Sequence, residues 1–146
     1  GVLAWSPLAG GLLTGKYTRN KKPEGITRMS EGWTEPPVRD EDRLWNIVDK
    51  LIEIAENHKC PPAQVALAWT LTRPGIASLV IGGRKLDHIE ENIGAVDLEL
   101  SDEEIQELNE VSEIPLIYPY WHQLDWAKNT FSAGDWALFS GRSELK

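Results

Sequence analysis

The sequence predicts an α/β fold built on parallel strands, and three observations predict it. Two short apolar runs, Gly1-Val2-Leu3-Ala4-Trp5 and Ile76-Ala77-Ser78-Leu79-Val80-Ile81, have the character of strands. Apolar residues between them, and again after the second, recur at the spacing of one helix face. A crossover of this length lets the second strand return beside the first in the same direction. The second run is nearly all apolar, as expected of a strand covered on both faces.

The elements follow in order. The first strand closes at Ser6-Pro7, because proline cannot continue a central ladder. Leu8-Ala9-Gly10-Gly11-Leu12-Leu13-Thr14-Gly15-Lys16-Tyr17 reads as a glycine-punctuated loop with apolar contents. Residues 18–40 show no period and read as a long surface loop, a length that is usually functional or disordered. Asp40 is placed to cap a helix carrying Leu44, Ile47, Val48, Leu51, Ile54 and Ala55. Asn57-His58-Lys59-Cys60-Pro61-Pro62 breaks that helix, and the prolines can open the next one, with Val65, Ala68, Trp69 and Leu71 as its apolar positions to about residue 72. Arg73-Pro74-Gly75 stops it before the second strand.

A further helix is expected from residue 86 to about 96. Ser101-Asp102-Glu103-Glu104 then forms a capping box that opens a helix through Ile105, Leu108 and Val111. Beyond Glu113 the character changes to an aromatic, proline-punctuated stretch with Tyr118, Tyr120, Trp121, Trp126, Phe131, Trp136 and Phe139 and no clean period. It is either a segment that docks onto another surface or a poorly ordered end.

Composition narrows the function classes. At 146 residues, 41% hydrophobic and with formal charge −8, the chain has material for one acidic, soluble domain. Nucleic acid and anionic membrane surfaces are not expected partners, since both need a positive footprint. Residues 86–114 contain no Lys or Arg and read as a solvated acidic face. Cys60 stands alone, so no intrachain disulfide can form and a reducing cytoplasm is the expected location. No run approaches membrane-spanning length, and no membrane insertion is expected. The chain opens at Gly1 in mid-strand, which predicts a piece of a longer polypeptide. Two parallel strands with helices on one side leave free edges and a bare face, so self-association or pairing with further strands is expected.

The chemistry is expected at the two strand ends. Val80-Ile81-Gly82-Gly83-Arg84-Lys85 is an apolar strand ending in two glycines and two cations before a helix. Glycines allow close approach of a phosphate, and first-turn N–H groups of a helix lack intrahelical partners. In a (β/α)8 barrel the phosphate site commonly comes from the loops after the last two strands. Were these strands the seventh and eighth, Ser6-Pro7-Leu8-Ala9-Gly10-Gly11 and Gly82-Gly83-Arg84-Lys85 would share that site. The plain alternative is an ordinary tight turn followed by solvated cations.

The segment from Trp5 to Tyr17 resembles the stretch after strand seven of aldo-keto reductases, especially the branch with potassium-channel β subunits and bacterial sugar-type reductases. Leu79-Val80-Ile81-Gly82-Gly83-Arg84 with Glu91-Asn92-Ile93-Gly94-Ala95 is similar to that family's strand eight and next helix, and Pro62-Ala63-Gln64-Val65-Ala66-Leu67-Ala68-Trp69 to the helix between. The resemblance covers residues 1–121 and leaves 122–146 as a separate tail. It implies a partial (β/α)8 TIM barrel: the last two β/α units plus a C-terminal helix and tail. It also implies NADPH as cofactor and a small-molecule carbonyl substrate, an aldehyde or ketone, once the barrel is complete.

Carried over residue by residue, the resemblance sets Ser6, Leu8 and Gly10 at the pyrophosphate. Gly82 and Arg84 border the adenosine phosphate, with the Arg84 guanidinium on the 2′-phosphate, and Glu91 and Asn92 meet the adenine. His88 stands where relatives usually carry glutamine; it is either an adenine-side contact or an exposed histidine. Gly83 replaces a frequent alanine, a change expected to be harmless.

No catalytic residue is assigned. The family's acid tyrosine, its lysine and aspartate partners and its carbonyl-orienting histidine sit on earlier strands, and nothing here matches them. Tyr17 is expected to begin the surface loop, and an unperturbed phenol with pKa ~10 is a poor acid at neutral pH. His58, His88 and His122 lack metal-ligand spacing, and Cys60 near His58 reads as a buried loop residue. The expectation is a fragment of an oxidoreductase that carries the cofactor's adenosine-phosphate site and does not turn over alone. The competing reading is a non-catalytic nucleotide-binding or regulatory module like a channel β subunit.

Overall fold

The computed structural model describes residues 1–139 except 24, 28, 29, 33–36 and 84. Its class is α/β, with two parallel strands backed by helices. Strand β1 is Val2–Trp5 and strand β2 is Ile76–Val80. Among the described residues they form one two-stranded sheet, with Leu3 opposite Ser78, Ala4 opposite Leu79 and Trp5 opposite Val80.

Helix α1, Glu41–His58, starts where Asp40 accepts a hydrogen bond from the Arg43 backbone N–H at 2.9 Å, and Glu41 and Asp42 place negative charge in its first turn. It runs past Asn57, where the sequence predicts a break. Nothing in Asn57-His58 opposes a helix, and Lys59, in the left-handed region at φ 54°, closes it by donating to the Ala55 and Glu56 carbonyls. Helix α2, Pro62–Leu71, begins with proline at the first turn, where the missing N–H costs nothing.

Ala63, Val65, Ala66, Leu67 and Ala68 of α2 are all buried, so this helix is enclosed and its small side chains let α1 and β2 come close. Val48, Leu51 and Ile54 of α1, Val65 and Ala66 of α2 and Leu108 of helix α4, Asp102–Ser112, make the centre of the core. Burying each of the larger aliphatic side chains contributes about 1.5–3 kcal/mol.

Polar clamps hold α4 on the other two helices. The Ser101 hydroxyl accepts from the Glu104 backbone N–H at 3.2 Å, while the Glu104 carboxylate accepts from the Ser101 N–H at 2.9 Å, the expected capping box. The other Glu104 oxygen lies 2.8 Å from His58 Nε2 at the end of α1. Burial resists ionisation of Glu104, yet the Ser101 N–H and His58 together hold its carboxyl below the usual range. Asn109 Oδ1 accepts from Trp69 Nε1 at 2.9 Å and from Arg73 at 2.6 Å, and the Arg73 guanidinium lies 5.3 Å from the Trp69 ring centre. Lys50 of α1 reaches Glu53 at 2.7 Å and Glu107 of α4 at 3.2 Å.

From Leu3 to Trp5 and Ser78 to Val80 the two faces of the sheet differ in cover, and Val2 at its start is 55% exposed. Ala4 and Leu79, which share a face, are half-buried, whereas Leu3, Trp5 and Val80 on the opposite face are 67%, 68% and 47% exposed. The expectation of cover on both faces of β2 is therefore corrected: its apolar sequence suits a doubly covered strand, and the second cover is not among the described residues.

The tail is more helical than its sequence suggests. Beyond α4 and the earlier helix α3, Leu86–Ile93, come a single turn α5, Tyr120–His122, irregular turns over Gln123–Ala127 and Lys128–Thr130, and helix α6, Ala133–Phe139. Ser132 and Asp135 cap α6 reciprocally, the Asp135 carboxylate accepting from the Ser132 N–H at 2.8 Å. Tyr118, Trp121, His122 and Trp126 form a chain of ring contacts on the surface, which is where the tail's aromatics find partners in place of a core. Among the described residues no helix is long and apolar enough to cross a membrane.

Candidate functional site

The pairing of Trp5 with Val80 fixes the geometry of the site. Both strands run the same way and finish level, so the Ser6–Gly11 and Ile81–Gly83 stretches leave the sheet side by side at its C-terminal end. The sequence separates these loops by some seventy positions; the parallel register brings them together.

The first loop is built rather than slack. Ala9–Thr14 forms tight 3₁₀ turns, which the sequence analysis reads as open loop. Ser6 sits at φ 54°, Ala9 at φ 50°, Gly10 at φ 65° and Gly11 at φ 100°. The left-handed region costs a residue with a side chain about 1 kcal/mol or more, so Ser6 and Ala9 are strained positions held by their surroundings. The holding bonds run from the Ala9 N–H to the Ser6 carbonyl and from the Gly11 N–H to the Leu8 carbonyl, both 2.9 Å, and from the Thr14 hydroxyl to the Gly11 carbonyl, 2.8 Å. Leu8 packs on the core cluster and Gly10 is buried, which anchors the loop from beneath.

Sequence reasoning assigned no role to Lys16, and the structure brings it to this loop. A Cβ on Gly11 would stand 2.8 Å from Lys16 Nζ, so the glycine makes room for the ammonium against the backbone. The same Nζ lies 5.4 Å from the ring centre of Tyr17. The signal was available: Gly15-Lys16 closes the motif that carries the resemblance. Tyr17 itself does not begin a surface loop but is buried at 7% exposure, because its ring packs inward at the end of the turn.

The second loop is open. Gly82 is exposed, and a Cβ there would meet nothing within 4 Å. A Cβ on Gly83 would stand 2.8 Å from Ile89 Cγ1, so an alanine here would require Ile89 to shift. Arg84, expected on the 2′-phosphate, lies outside the described residues. Helix α3 follows with no side-chain cap at its start.

His88, Glu91 and Asn92 occupy i, i+3 and i+4 of α3 and so share a side of the helix. His88 and Glu91 are exposed, while Asn92 is buried at 8%, so the three are graded in accessibility. Gln64 of α2 positions this helix: its amide donates to the Glu91 carbonyl, and it fills the space beside Gly94 where a Cβ would stand 2.7 Å from Nε2. Gln64 stands within the Pro62–Trp69 segment that carries the resemblance, and its task is visible only in the fold.

This donor set fits a dinucleotide's phosphates and base. A serine hydroxyl, a glycine-rich turn with an ammonium against it and an open glycine corner suit phosphate oxygens, and exposed His88 and Glu91 suit the polar edge of a base. Elsewhere, burial and then the Glu104 charge push the Cys60 thiol up, which keeps it protonated and unreactive at neutral pH. No group of three or more His, Cys, Asp or Glu side chains among the described residues is arranged to hold a metal.

The chain belongs to the aldo/keto reductase family, whose model matches residues 1–113. It is 35% identical over 119 residues to aldo-keto reductase str7 of Strobilurus tenacellus, a match covering 78% of this chain and 34% of that protein. It is 34% identical over 117 residues to a putative voltage-gated potassium channel subunit beta of Schizosaccharomyces pombe, covering 76% and 33% respectively. Protein tas of Escherichia coli (strain K12) is 33% identical over 121 residues, covering 77% and 32%. The chain thus spans about a third of the length of the curated relatives it matches.

Proposed function

We propose that this chain supplies the adenosine-phosphate half of the NADPH site of a carbonyl oxidoreductase, and that its two strands are the last two of a (β/α)8 barrel. The observation that supports this reading most is the level pairing of Trp5 with Val80, which sets both phosphate-suited loops at one end of the sheet. Ser6, Leu8, Gly10 and Lys16 would hold the pyrophosphate; Gly82 and Arg84 the 2′-phosphate; His88, Glu91 and Asn92 the adenine side. The bound cofactor would supply a hydride for an aldehyde or ketone.

In this reading the chain's own residues bind and orient, and none transfers a proton. Tyr17 is buried, and Tyr118 and Tyr120 lie in the aromatic tail. A preformed Ser6–Gly11 turn lowers the ordering cost of binding, since its backbone is already fixed by internal hydrogen bonds. The open Gly82 corner leaves specificity for the 2′-phosphate to Arg84, whose planar fork suits it.

The test is a fluorescence titration of NADPH and NADH against the chain and its Arg84→Ala variant. A charge-assisted phosphate contact contributes about 1.5–3 kcal/mol, so the variant should lose roughly 10- to 100-fold in NADPH affinity with little change for NADH. Equal weakening of both nucleotides would sink the assignment. A second reading, a non-catalytic nucleotide-sensing module, draws on the relative named as a potassium channel subunit beta. Under it NADPH still binds, and no carbonyl reduction accompanies binding even when the chain is completed by further strands.

A further inference from the structure

Helix α3 carries His88, Glu91 and Asn92, yet its seat is narrow. Asn92 is buried and Ile89 half-buried, while Leu86, Asp87, His88, Glu90, Glu91 and Ile93 are exposed, and no side chain caps the first turn. Little apolar area is removed from water along such a helix, so packing alone holds it weakly in place. Among the described residues, one side-chain hydrogen bond reaches α3 from another element: the Gln64 amide donates to the Glu91 carbonyl. Gln64 stands on firm ground. Its neighbours Ala63, Val65 and Ala66 are buried, and its backbone N–H donates to the Pro61 carbonyl at 2.9 Å in the first turn of α2. Just past α3 the same amide lies against Gly94, where a Cβ would stand 2.7 Å from Nε2 and 3.3 Å from Cδ. Gly94 has φ −57°, an ordinary helical value, so this glycine provides space for the amide and not backbone freedom.

We propose that Gln64 is a positioning residue for the adenine side of the site: it passes the fixed position of α2 to the Glu91 backbone and so sets where the Glu91 and Asn92 side chains stand. The proposal rests on the assignment of those two side chains to the adenine, and it adds a residue that touches no part of the nucleotide. Hydrogen bonds to a base are short and directional, so a displacement of the helix by about 1 Å is enough to lose them. A helix tied to α2 at the carbonyl of one base-side residue, next to the other, has little freedom to make that displacement. The Ser6–Gly11 turn has internal bonds of its own, and Gly82 lies outside α3. Gln64 therefore governs discrimination among bases, not recognition of the phosphates.

The experiment titrates the purified chain with NADPH and with its reduced hypoxanthine analogue, in which oxygen replaces the exocyclic amine of the adenine. One lost hydrogen bond to the base corresponds to a preference for NADPH of about tenfold in the parent chain. Gln64→Ala should shrink that preference by about threefold or more while the NADPH-to-NADH ratio stays as in the parent, the reverse of Arg84→Ala. Gln64→Glu keeps the side-chain length but turns an acceptor toward a carbonyl, and should lose the preference as Ala does. Recovery of the preference in that variant would reduce Gln64 to a packing role and overturn the proposal. Gly94→Ala disturbs the same contact, so combining it with Gln64→Ala should add no further loss, and additive losses would count against the proposal. Without nucleotide, Gln64→Ala should speed amide exchange over residues 89–93 about tenfold and leave residues 48–55 unchanged; equal acceleration of both would mark a general loss of stability and overturn it. A parent chain that binds no NADPH, or shows no base preference, removes the adenine assignment and this proposal with it. A preference that survives Gln64→Ala, or unchanged exchange over residues 89–93, removes this proposal alone.

Discussion

The helical and strand sides of this molecule are finished to different degrees. Across α1, α2 and α4, apolar side chains interlock and nearly every long polar group at the contact has a named partner: Lys50 with Glu107, His58 with Glu104, Trp69 and Arg73 with Asn109. Across β1 and β2, one face rests on α2 and the other presents Leu3, Trp5 and Val80 to water. The difference teaches how unevenly the fold is packed. The interlocked side chains lie in the helix cluster, while the strand pair sets two loops level.

That contrast can be broken by mutation. Leu51→Ala, at the centre of the helix cluster, should cost about 2–5 kcal/mol in denaturant unfolding, because it opens a cavity in a packed core. A cost under about 1 kcal/mol would mean that the cluster is not closely packed. Asn109→Ala leaves the Trp69 indole N–H and the Arg73 guanidinium without their shared acceptor and should cost about 1–3 kcal/mol. Ser101→Ala removes one half of the capping box and should cost about 1 kcal/mol by the same measurement.

Acid should act on the helical side first. The Glu104 carboxyl binds its proton less tightly in the folded chain than in the unfolded one, so the unfolded state takes up more protons in acid. The stabilisation is complete above the ordinary value of 4.5 and is lost as pH falls through that value toward the lower folded one. Urea midpoints measured from pH 6 to 3 should fall less steeply for Glu104→Gln than for the parent chain. Parallel slopes would remove Glu104 from the account.

The smallest effect is expected on the strand side. Leu3→Ser and Val80→Thr, on the bare face, should each change the stability of the chain alone by no more than about 0.5 kcal/mol, as for other exposed substitutions. A large loss at either position would show that the face is covered in solution and would erase the contrast.

Much of the fold was legible in the sequence because it rests on local rules. Asp40 and Ser101 open their helices by capping, Pro62 starts α2, and the apolar spacing in α1 points Val48, Leu51 and Ile54 inward. The turns of Ala9–Thr14 and helix α6 were missed, since each is held by short-range hydrogen bonds with no apolar period to announce them. Of the site, the glycine loops and the α3 side chains could be picked out from the residues that carry the family resemblance. Lys16 and Gln64 lie within the same resembling segments, but what they touch comes from where they fold back: Lys16 onto Gly11, and Gln64 across to the Glu91 carbonyl and Gly94.

The sequence by itself determined that the chain is α/β and where its main helices begin, since these follow from propensity and capping over a few neighbouring positions. Only the tertiary structure decided that β1 and β2 finish level, that Tyr17 is buried while Trp5 is exposed, and that β2 has one bare face. The reason is physical: register and burial depend on what packs against a residue from distant parts of the chain, and an apolar side chain reads the same whether or not something covers it.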